Sequence, residues 1–355
     1  MKINNEKISF CPIPWSEVFI GNKGKYMVCC MNYTSLGNIH EENINEVWNN
    51  EKTKEIRKYI KNNQYEEAGC DKNCPMIHQF KNGRGSDLFN EQWLKVKNNA
   101  FSKNLELLKK SINNDNGIAL NNPIVFSLQP TEQCNMKCIM CNQNHTSQVK
   151  VEKNLLKELF VFPESIHTIR FQGGEIFVNN EYKELILELK ENSLPFQSIQ
   201  VITNGSLLSH KDLSKMADRK KYIKFIISVD GTTGDVYSKI RVNPHFEKVM
   251  SNIKYLANIQ NKFEVNDLIQ WAFVVMKSNF YQLKEALLIA NELNIQVNFQ
   301  AIIGSFKTEN IFLYKDLINQ KDAMNYLDDI LNISFLRQEN IEQIKVLKEK
   351  LSNGE

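Results

Sequence analysis

IVFSLQPTEQCNMKCIMC, residues 124–141, joins a short apolar run to three closely spaced cysteines. The run at 124–128 has the length and the β-branched content of a buried strand. Cys134, Cys138 and Cys141 follow it with the spacing C-x3-C-x2-C. Three thiolates can hold three irons of a four-iron cluster and leave the fourth iron open to a ligand that is not protein. For the cysteines taken alone, the alternative interpretation is a zinc site or a set of buried thiols.

Apolar runs of strand length alternate with helical patterns over the middle of the chain. The predicted strands lie at residues 124–128, 168–171, 199–203, 224–229, 269–276 and 295–299. This alternation predicts an α/β fold whose strands run parallel and are joined by right-handed crossovers. Polar candidate residues follow the first four strands, and the carboxyl ends of parallel strands meet at one edge of a sheet. We therefore expect the functional site at that edge.

Four short segments after the cysteines resemble, in order, motifs of the radical SAM superfamily. They are FQGGE at residues 171–175, TNG at 203–205, SVDG at 228–231 and YSKIR at 237–241. The resemblance implies a partial (β/α)6 barrel over residues 123–304, left open on one side so that a large substrate can approach. It also implies a [4Fe-4S] cluster on Cys134, Cys138 and Cys141, whose open iron chelates S-adenosylmethionine.

The same resemblance assigns eight residues to the binding of S-adenosylmethionine. These are Met140, Gly173, Gly174, Glu175, Asn204, Ser228, Asp230 and Arg241. The glycines are expected to let the backbone approach the cofactor, Glu175 to orient the methionine amino group, and Arg241 to pair with a carboxylate. Ser228 and Asp230 are expected at the ribose or the carboxylate, and Met140 against the adenine. Each residue also has a structural interpretation, because glycine pairs and Asp-Gly steps are common in turns and arginines are common at surfaces.

Five further cysteines lie in the first part of the chain, which we predict to be a small cluster domain at residues 1–78. Cys11 stands in CPIPW, Cys29 and Cys30 end GKYMVCC, and Cys70 and Cys74 bound CDKNC. An LGNI turn at 36–39 and a helix with Asn43 and Glu46 at capping-box spacing lie between them. This order resembles a SPASM or twitch domain placed before the barrel. The resemblance implies an auxiliary [4Fe-4S] cluster on four thiolates, those of Cys11, Cys29, Cys70 and Cys74.

Cys30 is left over by this assignment. It is a candidate catalytic residue that donates a hydrogen atom, an alternative ligand in place of Cys29, or a small buried residue without a chemical role. For the domain as a whole, a structural zinc site on the same thiolates is the alternative.

The rest of the chain carries weaker signals. Residues 79–122 are predicted to be a polar, partly helical linker with Phe101, Leu105 and Leu108 on one helix face. Residues 305–355 are predicted to be a C-terminal helical segment, with two helices over 312–352. The 355 residues contain no long apolar run, so we expect neither a membrane span nor a signal peptide. Clustered thiols without an export signal predict bound metal and a cytoplasmic location. A net charge of +3 is too small to predict a nucleic-acid partner.

The activity implied by the resemblance is reductive cleavage of S-adenosylmethionine to a 5′-deoxyadenosyl radical, which abstracts a hydrogen atom from the substrate. A reducing partner such as flavodoxin or ferredoxin would supply the electron. The expected substrate is a peptide or protein that is oxidised, cross-linked or epimerised. The alternative is a small molecule, with dehydrogenation or epimerisation of a carbohydrate or sugar nucleotide. In a different class, the chain would be a non-catalytic iron–sulfur or zinc scaffold.

Overall fold

The computed structural model describes residues 5–192, 195–217, 222–242, 245–265 and 267–353. The strands are β1 (Lys7–Ile8), β2 (Glu17–Ile20), β3 (Lys25–Met27), β4 (Gly37–Asn38), β5 (Ser86–Asp87), β6 (Val125–Leu128), β7 (Lys137–Cys138), β8 (Thr168–Phe171), β9 (Ser198–Thr203), β10 (Tyr222–Ser228), β11 (Arg241–Val242), β12 (Ile269–Val275) and β13 (Gln296–Ala301). The α-helices are α1 (Ile13–Ser16), α2 (Ile44–Trp48), α3 (Glu51–Lys61), α4 (Pro75–Lys81), α5 (Glu91–Leu94), α6 (Asn99–Asn113), α7 (Lys153–Lys157), α8 (Asn180–Glu191), α9 (His210–Met216), α10 (Gly234–Ile240), α11 (Phe246–Phe263), α12 (Leu283–Glu292), α13 (Gln320–Leu331) and α14 (Gln338–Asn353). Short 3-10 helices lie at Pro163–Ser165, Ile176–Val178, Lys277–Gln282 and Lys315–Leu317.

The chain divides into two compact units. Unit 1 comprises Met1–Gln133 and Thr146–Gln200, and unit 2 comprises Cys134–His145 and Val201–Glu355. Strand β9 begins in unit 1 and ends in unit 2. Among the described residues, no helix is both long enough and apolar enough to cross a membrane.

The sheet of unit 1 has the strand order β8-β6-β2-β3-β4, with the start of β9 beside β8. Strands β8, β6 and β2 are parallel, whereas β3 and β4 complete an antiparallel meander after β2. The sheet of unit 2 has the order β13-β12-β10, with the end of β9 beside β10. Its strands β10, β12 and β13 are parallel and are separated by helices. The predicted α/β class is confirmed, and each of the six predicted strands is present within two residues of its expected bounds.

Strand β2 is a part of this sheet that the sequence pattern did not predict. It belongs to the amino-terminal segment and pairs in parallel with β6, so that Glu17 faces Val125 and Ile20 faces Leu128. Its last residues are almost completely buried, as a strand inside a parallel sheet requires. The amino-terminal segment therefore adds strands to the sheet of unit 1.

The two faces of the unit 1 sheet differ in composition, because successive side chains of a strand point to opposite sides. One face is apolar and at most 4% exposed, with Val18, Ile20, Phe126, Leu128, Ile169, Phe171 and Ile199. The other face is mixed, with the polar residues Glu17, Ser127, Arg170 and Gln200 beside Phe19 and Val125, which are buried. The apolar face forms the core of the unit, whereas the mixed face combines buried apolar residues with half-buried polar ones.

Local helix signals also match the structure. The capping box predicted at Asn43 and Glu46 starts α2, with both reciprocal hydrogen bonds formed. Helix α6 buries Phe101, Leu105 and Leu108, as their spacing predicts. Helices α13 and α14 account for the two helices expected near the end of the chain. The boundaries proposed for the cluster domain, linker, barrel and final segment stay predictions.

Candidate functional site: two groups of thiols

The cysteine loop of unit 2 is held by a two-stranded ladder. Strand β7 pairs antiparallel with β11, which places Cys138 opposite Arg241. The N–H of Ile139 donates to the carbonyl of Ile240 at 3.0 Å and extends the ladder. Met136 is buried in the same loop and accepts a hydrogen bond on its sulfur from the Tyr237 hydroxyl at 3.9 Å. The loop that carries the three thiols is thus fixed by contacts on both sides of Cys138.

The thiol of Cys134 lies among hydrogen-bond donors. Its Sγ accepts from the N–H of Met136 at 3.4 Å and from Nδ2 of Asn204 at 3.9 Å. The Asn204 amide also donates to Oδ1 of Asn135 at 2.9 Å and accepts from the Ser206 hydroxyl at 2.7 Å. Because these bonds fix the amide plane, Asn204 presents its N–H to the sulfur. Its predicted contact with S-adenosylmethionine stays a prediction.

Asp230 and Arg241, both predicted to face the cofactor, are paired with each other in the structure. Nε and Nη2 of Arg241 lie 2.9 and 2.7 Å from Oδ2 of Asp230. Nη1 of Arg241 lies 3.8 Å from Sγ of Cys138. Burial raises the pKa of the Cys138 thiol to about 11, although the guanidinium opposes that rise. Burial lowers the pKa of Arg241, but the charges of Asp230 and Cys138 outweigh it and the net shift is upward.

The glycine pair of the GGE segment lies in unit 1 and packs against the backbone of residues 131 and 132. A Cβ on Gly174 would come within 2.2 Å of the carbonyl oxygen of Glu132, and one on Gly173 within 2.5 Å of that of Thr131. Gly173 also has a φ of +149°, a region that favours glycine. Close packing against neighbouring carbonyl oxygens therefore explains why both positions are glycine. Their approach to a cofactor stays a prediction.

The remaining candidates for cofactor binding are placed as follows. Glu175 is fully buried, and its Oε1 accepts the N–H of Phe177 at 3.2 Å, so it caps the 3-10 helix that follows. Ser228 is half-buried at the carboxyl end of β10, and Met140 is half-buried in the cysteine loop. Their roles toward S-adenosylmethionine stay predictions.

The second group of thiols lies in unit 1 and is organised around Asn32. Isolated bridges join Asn32 to Cys29 on one side and to Cys70 on the other. The fully buried amide of Asn32 donates to the carbonyl of Ala68 at 2.8 Å and to Sγ of Cys70 at 3.4 Å. Sγ of Cys29 accepts the N–H of Met31 at 3.4 Å. Cys29 therefore has the same sulfur contact, from the N–H two residues later, as Cys134.

Cys11 and Cys74 complete this group, and Cys30 differs from the rest. Burial raises the pKa of Cys11 to about 12, the N–H of Ile13 opposes the rise, and the nearby thiols of Cys74 and Cys70 add to it. Cys74 precedes α4 and is buried, whereas Cys30 is exposed. This contrast favours Cys29 over Cys30 as the ligand of the auxiliary cluster, and that assignment stays a prediction. Cys30 is accessible to solvent.

The donor sets fit iron–sulfur clusters in their chemistry. In both groups backbone or side-chain N–H groups point at sulfur, as they do around cluster thiolates, where such bonds set the reduction potential. Within the described ranges, no three Cys, His, Asp or Glu side chains converge closely enough for a single metal ion. A four-iron cluster takes one thiolate at each of several irons, so its ligands stand further apart than those around one ion.

The sequence did not indicate the residues that support the thiols. Asn32, Asn135 and Ser206 are ordinary polar residues in turns and become recognisable only through their contacts. The one available signal was position, because Asn135 directly follows a cysteine and Ser206 follows the TNG segment.

A polar row crosses the mixed face of the unit 1 sheet. The Ser127 hydroxyl donates to Oε1 of Glu17 at 2.6 Å and accepts from Nη1 of Arg170 at 3.1 Å. Nη1 of Arg170 lies 3.6 Å from Oε1 of Glu17, and its Nε donates to Oε1 of Gln200 at 3.1 Å. Glu17 and Arg170 both contribute to the electrostatic environment of Cys30. The row therefore runs over four strands toward the auxiliary thiols.

Comparisons with known proteins agree with both groups of thiols. The sequence model of the radical SAM superfamily matches residues 128–269, and that of the iron–sulfur cluster-binding SPASM domain matches residues 11–75. The chain is 24% identical over 165 residues to the antilisterial bacteriocin subtilosin biosynthesis protein AlbA of Bacillus subtilis. This alignment covers 42% of this chain and 36% of AlbA. It is 23% identical over 227 residues to a GTP 3′,8-cyclase of Clostridium acetobutylicum, covering 61% of this chain and 67% of the cyclase.

Among solved structures, SuiB of Streptococcus suis bound to the precursor peptide SuiA is 15% identical, with a TM-score of 0.48, and covers 72% of this chain and 58% of SuiB. The chain thus spans about a third of AlbA and up to two thirds of the other two proteins. The thiol groups and the two family matches coincide in sequence, since Cys134, Cys138 and Cys141 lie in the first match and the five earlier cysteines in the second. Residues 128–269 therefore match the radical SAM superfamily, and residues 11–75, ahead of them in the chain, match the SPASM iron–sulfur cluster-binding domain.

Proposed function

We propose that this radical SAM enzyme modifies a peptide or protein by removing a hydrogen atom from it. Cys134, Cys138 and Cys141 would hold the [4Fe-4S] cluster that binds S-adenosylmethionine. The auxiliary [4Fe-4S] cluster would be held by four other thiolates, those of Cys11, Cys29, Cys70 and Cys74. When bound, the first cluster supplies the electron that splits S-adenosylmethionine into methionine and a 5′-deoxyadenosyl radical. The protein supplies the position of the substrate and the exclusion of other hydrogen donors.

The main support for a peptide or protein substrate is the polar row formed by Glu17, Ser127, Arg170 and Gln200. The strands of parallel sheets are normally rich in Val, Ile and Leu, and the same residues fill the interior of closed barrels, where their packing stabilises the fold. Here one face instead carries a charged pair whose side chains are 14% (Glu17) and 30% (Arg170) exposed. Placing charges on a sheet face costs free energy unless they are paired or solvated. The partly exposed charged pair on this face offers hydrogen-bonding groups to a polar ligand.

The chemistry of the row matches that of a peptide backbone. A guanidinium and the N–H groups of a primary amide donate to carbonyl oxygens, while a carboxylate accepts from N–H groups. The sheet of unit 2, considered by itself, has a comparable face, on which Gln270 and Gln296 are paired in register and Asn298 follows on the same side. The similarity to AlbA, a bacteriocin biosynthesis protein, supports the same class of substrate.

The outcome for the substrate radical would be oxidation, a cross-link or epimerisation. Epimerisation requires a hydrogen donor on the protein, and Cys30 is the exposed thiol of the auxiliary group. An outcome without a donor is an oxidation or a cross-link. Cys30→Ala separates these outcomes, because only epimerisation would lose its product while 5′-deoxyadenosine formation continues.

The test is an anaerobic assay with reconstituted enzyme, S-adenosylmethionine, dithionite and, as probes, synthetic copies of short peptides encoded beside the gene. Mass spectrometry should find 5′-deoxyadenosine together with a peptide that has lost hydrogen or, in D2O, gained deuterium. GTP and a sugar nucleotide serve as parallel probes. Product from either of these, with none from any peptide, would contradict the proposal.

Arg170→Met tests the row itself. It removes charge-assisted contacts worth roughly 1.5–3 kcal/mol, so peptide product should fall roughly tenfold to a hundredfold. The peptide-independent cleavage of S-adenosylmethionine should remain. Lys52→Met is the matched control, because Lys52 is an exposed cation on α3 of the same unit. Equal product from both variants would show that the row does not hold the substrate.

A further inference from the structure

We propose that Arg241 is a positioning residue for Cys138 and that its guanidinium sets the reduction potential of the cluster rather than binding the carboxylate of S-adenosylmethionine. The inference rests on the family assignment and on the proposed role of Cys138 as a cluster ligand. It does not depend on any particular substrate.

The backbone already fixes the two residues opposite each other. Arg241 and Cys138 are register partners in the β7–β11 ladder, and the Ile139 N–H bond to the carbonyl of Ile240 continues it. Side chains of directly opposed residues in an antiparallel pair lie on the same side and within contact. The guanidinium therefore reaches the thiol as a consequence of strand pairing and not through a flexible loop.

Each nitrogen of this guanidinium has a partner within the described residues. Nε and Nη2 bind one oxygen of Asp230 at 2.9 and 2.7 Å, and Nη1 lies 3.8 Å from Sγ of Cys138. The other oxygen of Asp230 accepts the N–H of Val274 at 2.7 Å, so the carboxylate is fixed as well. Asp230 is fully buried, and Arg241 is 7% exposed. Arg241 is therefore already paired with one buried carboxylate, which holds its guanidinium at Cys138.

The expected effect on a cluster follows from charge. A reduced cluster is more negative than an oxidised one, so a cation and an N–H donor at a ligand sulfur stabilise the reduced form and raise the potential. Asp230 offsets part of the positive charge, yet it also aims the guanidinium at Cys138. Removing Arg241 should therefore lower the potential, even when no S-adenosylmethionine is present.

The experiment compares Arg241→Gln and Arg241→Lys with the control Lys239→Gln. Lys239 is exposed and only two residues away, so its variant loses the same charge without losing the contact. The reconstituted proteins are titrated with reductant while electron paramagnetic resonance follows the cluster signal that changes on adding S-adenosylmethionine. We expect a lower midpoint in Arg241→Gln, an intermediate one in Arg241→Lys, and the wild-type value in the control. Affinity for S-adenosylmethionine, measured by calorimetry, should stay within a few-fold of wild type.

The opposite pattern would overturn the inference. An unchanged midpoint with affinity for S-adenosylmethionine reduced roughly tenfold or more would show that Arg241 binds the cofactor carboxylate. If Arg241→Gln takes up too little iron, Arg241→Lys decides, since it should still give a midpoint below that of the wild type. All readouts are made without substrate, so a missing peptide product would contradict only the proposed function.

Discussion

At the scale of single residues, His167 shows how burial sets protonation. Its ring lies 6.0 Å from that of Phe101 and 6.5 Å from that of Trp93, and its Nδ1 contacts the Thr168 hydroxyl at 2.8 Å. Burial lowers the pKa of His167 from 6.5 to about 4. The folded protein therefore binds fewer protons at this site than the unfolded chain does between those two pH values.

This linkage predicts a loss of stability in mild acid. The contribution of neutral His167 is fully present above pH 6.5 and is lost as the pH falls toward 4, by an amount on the order of 3 kcal/mol in total. Anaerobic urea unfolding at several pH values across this window would measure it. His167→Gln keeps a hydrogen-bonding side chain that does not titrate, so its stability should fall less. Parallel curves for the two proteins would contradict the assignment.

The candidate thiols could be predicted residue by residue, but their surroundings could not. Cysteine spacing is a local property of the chain, and both groups were identified from it. Asn32 and Asn204 act through contacts with residues far away in sequence, which no local pattern contains. The pairing of Asp230 with Arg241 was missed for a related reason, because each was assigned to the cofactor separately.

At the scale of secondary-structure elements, Arg57 joins three parts of unit 1. Its Nε donates to the carbonyl of Pro14 at 2.8 Å, and its Nη1 donates to Asn49 Oδ1 and to the carbonyl of Gly117. The guanidinium lies 4.5 Å from the centre of the Trp48 ring. It is fully buried, and no carboxylate pairs with it in the part of the chain that the structure describes.

Arg57→Ala should therefore destabilise the amino-terminal elements. The change leaves buried carbonyl oxygens without donors and opens a cavity, which together cost about 3–5 kcal/mol. Lys58→Ala is the matched control, because Lys58 is the next residue of α3 and is exposed. Chemical unfolding of both variants measures the difference. Similar stabilities would show that the unit tolerates the loss of this contact.

The elements themselves followed from sequence where the pattern was long and periodic. The six strands and the helices between them repeat a β/α alternation, so each supports the interpretation of its neighbours. Strand β2 lacks this support, because it is four residues long and follows the proline-rich CPIPW segment. Its partner β6 lies more than a hundred residues later, and such distant pairing leaves no trace in a local pattern.

At the scale of the whole molecule, the eight cysteines form two groups that belong to different units. Cys134, Cys138 and Cys141 lie in unit 2, and the other five lie in unit 1. Each group has its own N–H donors to sulfur, so neither depends on the other for its local geometry. Loss of one cluster should therefore leave the other in place.

Replacing Cys134, Cys138 and Cys141 together by Ala tests this independence. On the proposed stoichiometry, iron should fall from about eight to about four per chain, and cleavage of S-adenosylmethionine should be lost, because the open iron is gone. Cys30→Ala is the control, since an exposed cysteine outside both ligand sets should leave both the iron content and the cleavage unchanged. Iron and sulfide analysis with 5′-deoxyadenosine assay gives both readouts. Cleavage by the triple variant would refute the assignment of these thiols, whereas loss of all iron would show that the two groups assemble as one.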